Sequence, residues 1–172
     1  MSSPEHGFEV NWSDPWTRVE ISAEGASTLY LKTPDGNGIF QIIVVEDVSK
    51  GEEFLRSEAA VAGIYQSLQM QKVLFDEMGK MGSLPSRKVM FQAKGILCGL
   101  EQTITNRKLY MLNMVQKNAR FPQFKAEFEK LTKGFRFAEG KVPEKPAKTG
   151  SPSAGSDNSQ STSGNNDFGS DF

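Results

Sequence analysis

Few residues in this chain could do chemistry. His6 is the only histidine and Cys98 the only cysteine. A histidine-based triad, a multi-histidine metal centre and a cysteine-rich zinc site are therefore not expected. His6 stands in a terminal stretch expected to fray and reads as a solvated spectator. Cys98 sits in an alternating apolar stretch with no histidine near to activate it, and reads as a buried structural thiol. The adjacent carboxylates Glu52-Glu53 and Asp76-Glu77 fall on polar segments and read as solvated faces rather than as an acid/base pair. Glu46-Asp47 is not followed by an Asp-rich loop with calcium spacing. Gly79-Lys80-Met81-Gly82 is too short for a phosphate cradle and lacks its Lys-Ser/Thr ending. No catalytic residue, cofactor or metal is expected, and an enzyme with a carboxylate-only site is the residual alternative.

Binding residues are easier to nominate. Trp12 and Trp16 are candidate anchors for a partner protein, since tryptophan is enriched at binding hot spots; core packing is the competing reading, and the stronger one for Trp16. The ending Asp167-Phe168-Gly169-Ser170-Asp171-Phe172 could offer Phe168 and Phe172 to a partner's pocket, with its acidic residues meeting basic groups. A second candidate surface is basic: Arg87, Lys88, Arg107, Lys108, Lys117 and Arg120, near Phe91 and Tyr110. Cations beside stacking aromatics are the recipe for single-stranded nucleic acid, but no RNP-type motif accompanies them. Nucleic-acid binding is thus the alternative to protein binding.

These residues must be positioned by the elements around them. Lys108–Gln116 alternates with apolar residues on both sides and is expected to be a central strand. Phe121, Phe124, Phe128, Leu131 and Phe135 recur at helical spacing over a helix expected at 123–133, with Pro122 at its start and Gly134 at its end. Residues 39–46 form a second apolar, central strand. Short strands are expected at 7–12, 16–21 and 27–33, separated by turns at 13–15, 23–25 and 34–38. A helix is expected over 52–68, capped by Ser49 and using Phe54, Leu55, Ala59, Ala62, Tyr65 and Leu68 as its apolar face. Residues 73–77 read as a strand running into a turn at 78–82. In 86–94, Val89, Phe91 and Ala93 point inward, with Lys88, Met90, Gln92 and Lys94 outward. A strand at 97–105 follows, with a tight hairpin at 105–107. The order implies an α+β domain, a central antiparallel sheet with helices packed on it.

The chain has 172 residues and a net charge of −1. Residues 1–68 carry 4 cationic and 11 acidic side chains, and residues 69–140 carry 13 and 6. This asymmetry would make a dipolar surface unless the two halves interleave in space. Residues 1–6 are expected to be disordered, 7–138 to form one domain, and 139–172 to be a disordered Ser/Gly/Asn-rich tail. No apolar run is long enough to span a membrane. The opening MSSPEHGFEVNW lacks a basic region followed by an apolar one, so a cytoplasmic protein is expected.

Three groups of residues carry a family resemblance. Phe8-Glu9-Val10 followed by Pro15-Trp16 looks like an opening strand and proline-tryptophan turn. Gly82-Ser83-Leu84-Pro85-Ser86 looks like the entry to a long central hairpin. Tyr110, the Phe-striped helix and Phe135-Arg136-Phe137 look like a closing signature. Together they resemble the PsbP-like superfamily, which also includes DcrB-type domains and Ran-binding nuclear import factors. The resemblance covers about residues 7–138. It implies an α/β/α sandwich with helices on both faces of the sheet, and a non-enzymatic role in binding another protein or in assembly. No Ran-binding or photosystem-binding residue carries over.

Overall fold

The computed structural model describes residues 2–3, 7–19, 27–69 and 71–138. In chain order these form β1 (Ser2–Ser3), β2 (Phe8–Val10), β3 (Thr17–Val19), β4 (Ser27–Lys32), β5 (Gly38–Val45), α1 (Glu52–Leu55), α2 (Ala59–Leu68), β6 (Lys72–Met81), β7 (Leu84–Ala93), β8 (Ile96–Thr105), β9 (Lys108–Lys117), α3 (Phe121–Lys133) and β10 (Phe135–Phe137). Seven strands make one antiparallel sheet in the order β3-β4-β5-β9-β8-β7-β6, and β1, β2 and β10 make a small second sheet. The architecture is α+β. His6, Phe168 and Phe172 lie outside the described residues, as do the turn expected at 23–25 and the tail.

Strand β9 is the middle of the seven because both its faces are apolar. Tyr110, Leu112 and Met114 enter the larger core, with Phe40, Ile42, Met90 and the α3 residues Phe124, Phe128 and Leu131. Met111 and Val115 turn to the other face, against a smaller core of Val61, Val89, Phe91, Cys98 and Leu100. Helices therefore cover both faces: α3 on one, α1 and α2 on the other. This burial on two sides corrects the outward reading of Met90, which is fully buried under α3. The in-and-out alternation assumed one wet face, and β7 has none at that point. Gly99, beside Met90 on β8, leaves room for α3: a Cβ there would lie 2.9 Å from the Phe128 ring.

The helix expected over 52–68 is two helices. Arg87 is the reason. Its Nη1 donates to the carbonyls of Leu55 and Ser57, at 3.2 and 2.7 Å. In an unbroken helix the Leu55 carbonyl would accept from the amide of Ala59. The Ser57 hydroxyl also turns back, donating to the Phe54 carbonyl at 2.6 Å. Because α2 restarts at Ala59, a periodicity counted from α1 is out of phase: Val61 is buried, whereas Ala59 is exposed. The Ser49 cap is also corrected. Gly51 is the N-cap residue, with no side-chain cap, and its amide donates to Glu53 Oε1 at 3.1 Å. The turn expected at 78–82 is strand as far as Met81, since Gly79 is accommodated at an outer strand and the chain reverses at Gly82 with φ +63°.

Candidate partner-binding site

The connector from β2 to β3 lies against α3 and shapes an open concavity at the nominated tryptophans. The connector is fixed at both ends. The Asn11 amide donates to the Gly134 carbonyl at 2.9 Å, and the Trp16 amide to the Ser13 carbonyl at 3.3 Å. The Asp14–Pro15 peptide is cis. Gly134 must remain glycine because an added Cβ would collide with the Asn11 carbonyl.

Trp16 is 4% exposed and belongs to the larger core. Its Nε1 donates to Glu127 Oε1 at 2.8 Å, and Glu127 Oε2 accepts from Gln116 Nε2 at 3.3 Å. This ties the connector to α3 and α3 to β9. Gly38 admits the indole: a Cβ there would be 2.9 Å from Trp16 Cη2. Trp12 is half-buried, packed on the rim of the same core. Between them lies an open, mainly apolar cavity of about 290 Å³, lined by residues 11–14, Trp16, Glu127, Lys130 and Leu131. The two tryptophans are thus brought to one place, Trp16 as wall and Trp12 as rim. Glu127, Lys130 and Leu131 were not nominated from the sequence. Leu131 is legible only as a member of the Phe stripe and Glu127 and Lys130 only by their helical spacing at its border, and nothing local links any of the three to residues 11–16.

The basic set is not brought together. Arg87 and Lys88 are neighbours in β7 and point to opposite faces. Arg87 Nε and Nη2 grip Asp76 at 2.9 and 2.8 Å while Nη1 holds the α1–α2 junction, so the guanidinium is committed to the fold. Lys88 pairs with Glu101 at 3.2 Å, and Glu101 is itself buried and accepts from the Ser86 hydroxyl at 3.0 Å. Arg107 and Lys108 lie at the β8–β9 hairpin, facing Asp47 and Glu46 at 3.3 and 2.6 Å. The bond to Glu46 raises the Lys108 pKa. Lys117 is at the other end of β9, roughly 30 Å away at the usual rise per residue. Arg120 is the N-cap residue of α3. Four of the six cations thus have carboxylates against them, and the six share no groove. Phe91 and Tyr110 are buried, on opposite faces of the sheet.

Cys98 is buried, and burial pushes its thiol up to about 11. Asp76 is held by Arg87, and Glu52 and Glu53 open α1. Among the described residues no three His, Cys, Asp or Glu side chains come together as a metal site. No helix among them is long and apolar enough to cross a membrane.

No protein-family model matches the sequence. No curated protein matches it either. Solved structures do. The solution structure of cyanobacterial PsbP (CyanoP) from Synechocystis sp. PCC 6803 matches 80% of this chain and 90% of its own, with a TM-score of 0.61 at 13% identity. The fold is PsbP-like. A crystal structure from Bacteroides thetaiotaomicron VPI-5482 matches the same share of this chain but 47% of its own length, with a TM-score of 0.51 at 19% identity. At these identities the likeness is one of fold. The PsbP-like arrangement is the one that the opening strand, the long hairpin and the Phe-striped helix implied.

Proposed function

We propose that this chain is a non-enzymatic binding or assembly domain that recognises another protein through the Trp12 cavity. The observation that carries this reading is the open apolar hollow with a half-buried tryptophan at its rim. Its volume of about 290 Å³ suits one large side chain, and lies at the lower limit of small-molecule pockets. Asp14, Glu127 and Lys130 around it would orient the incoming segment, while Trp12 and Leu131 supply apolar contact. The PsbP-like fold supports an accessory role of this kind. The dispersal and pairing of the basic residues favour protein over single-stranded nucleic acid.

The test is a pull-down from native lysate at low and high salt. It compares the full chain, its Trp12→Ala variant and a chain ending at Gly140. A protein retained by the full and shortened chains but lost with Trp12→Ala is expected. Loss on shortening alone would move recognition to Phe168 and Phe172. Recovery of nucleic acid alone would overturn the reading.

A further inference from the structure

Strand β6 is an outer strand of the large sheet, ten residues long. One side pairs with β7; among the described residues nothing pairs with the other. Three large apolar side chains stand exposed among the described residues, and two of them, Val73 at 42% and Met78 at 37%, are on this strand. Outer strands are commonly protected by prolines, bulges or repelling charges. β6 has a bulge between Val73 and Phe75, but residues 75–81 beyond it are regular and free of proline.

The charges on 75–81 are self-complementary in one register. A second copy can extend the sheet antiparallel about a two-fold axis perpendicular to it. Opposed residues must then share a face, so the axis passes through a residue. An axis at Asp76 sets Asp76 against itself, and one at Glu77 or Lys80 does the same with that charge. An axis at Gly79 leaves five residues to pair before the chain reverses at Gly82. An axis at Met78 sets Met78 against Met78, Lys80 against Asp76, Glu77 against Gly79, and Phe75 against Met81. Every charged residue then meets an opposite charge or glycine, and the apolar residues meet each other. Asp76 remains open to a second cation, since its side chain is 37% exposed while held by Arg87.

We propose that β6 is a self-association edge on which two copies pair residues 75–81 around Met78, continuing one sheet through both. This is independent of the Trp12 cavity, which lies against α3 between β2 and β3. A seven-residue edge buries less than a permanent dimer needs, so association should depend on concentration.

Sedimentation of the full chain from about 10 μM to 1 mM reads the association, in the range expected of a small interface. Cysteine substitution reads the register. Across the axis the two Cα atoms at position 78 would be about 4.5–5.5 Å apart, within disulfide reach. Position 77 would face position 79 of the other copy. The expected result is a monomer–dimer equilibrium, a disulfide dimer forming at least tenfold faster for Met78→Cys than for Glu77→Cys, and loss of association in Lys80→Asp. A monomer at the highest concentration would overturn the proposal. So would equal cross-linking at 77 and 78, or a dimer that persists in Lys80→Asp.

Discussion

Replacing Arg87 with methionine removes the guanidinium and keeps most of the aliphatic stem. The structure predicts where the cost arises. Arg87 donates to the Leu55 and Ser57 carbonyls and to Asp76. The ion pair with Asp76 is partly solvated and contributes about 0.2–1 kcal/mol. The two carbonyl bonds come from a charged donor that is mostly buried, and each would ordinarily contribute about 1.5–3 kcal/mol. Part of this returns when water reaches the freed carbonyls. A loss of about 2–4 kcal/mol is expected, or roughly 6–20 °C in melting temperature for a domain of this size. Urea unfolding followed by tryptophan fluorescence measures the loss, and Asp76→Asn supplies the control. Asp76→Asn should cost no more than about 1 kcal/mol, because the carbonyl bonds survive in it. Amide exchange should rise through 59–69 in Arg87→Met and stay unchanged in α3. If Asp76→Asn costs as much as Arg87→Met, the carbonyl bonds contribute little and the account of the helix break fails.

Gly99→Ala should destabilise by about 1–2 kcal/mol in thermal unfolding, because its Cβ must displace the fully buried Phe128 ring; a neutral result would show that α3 can shift. The Cys98 thiol should resist alkylation at pH 8 in the native chain and react on unfolding, since burial holds its pKa near 11 and hides the sulfur. Asp35 accepts from the Thr33 hydroxyl and from the Asn37 amide and side chain, which lowers its pKa in the fold. Its contribution is therefore complete above the ordinary carboxylate pKa and lost as pH falls through the lowered one. Asp35→Asn should flatten the acid limb of a stability–pH curve below about pH 4, while the wild-type slope remains.

Local pattern made much of the fold legible. Phe124, Phe128 and Leu131 can be placed on one stripe because helical spacing is a local property, and α3 buries all three. The hairpin at Asn106 and Arg107 is readable for the same reason: a polar pair between two alternating runs, here with φ of +47° and +59°. What could not be read depends on distant chain. Met90 turns inward because α3 arrives from beyond residue 120. The helix over 52–68 is broken by a guanidinium some 30 residues later. The candidate site shows the same division. Trp12 and Trp16 are nominated by residue type, but their link to Glu127 spans 111 positions. The basic residues are alike as letters and are separated by the place each takes in the fold: Arg87 and Lys88 by the face of β7 each occupies, and Arg107 and Lys108 by lying at the β8–β9 hairpin against Asp47 and Glu46.

The small sheet has a kinetic consequence. β6, β7, β8 and β9 are joined by tight turns, so their pairing requires only short loops to close. β2 and β10 pair Phe8 with Phe137 and Val10 with Phe135 across nearly the whole described chain. Contacts of such sequence separation carry the largest closure entropy and are expected to form late. The connector that bears Trp12 leads out of β2, and its Asn11 amide is held by Gly134 at the end of α3. The hollow is therefore completed only when the two ends of the domain meet. A ligand seated there would act as a clasp on the slowest joint of the molecule, retarding its unfolding more than it speeds its folding.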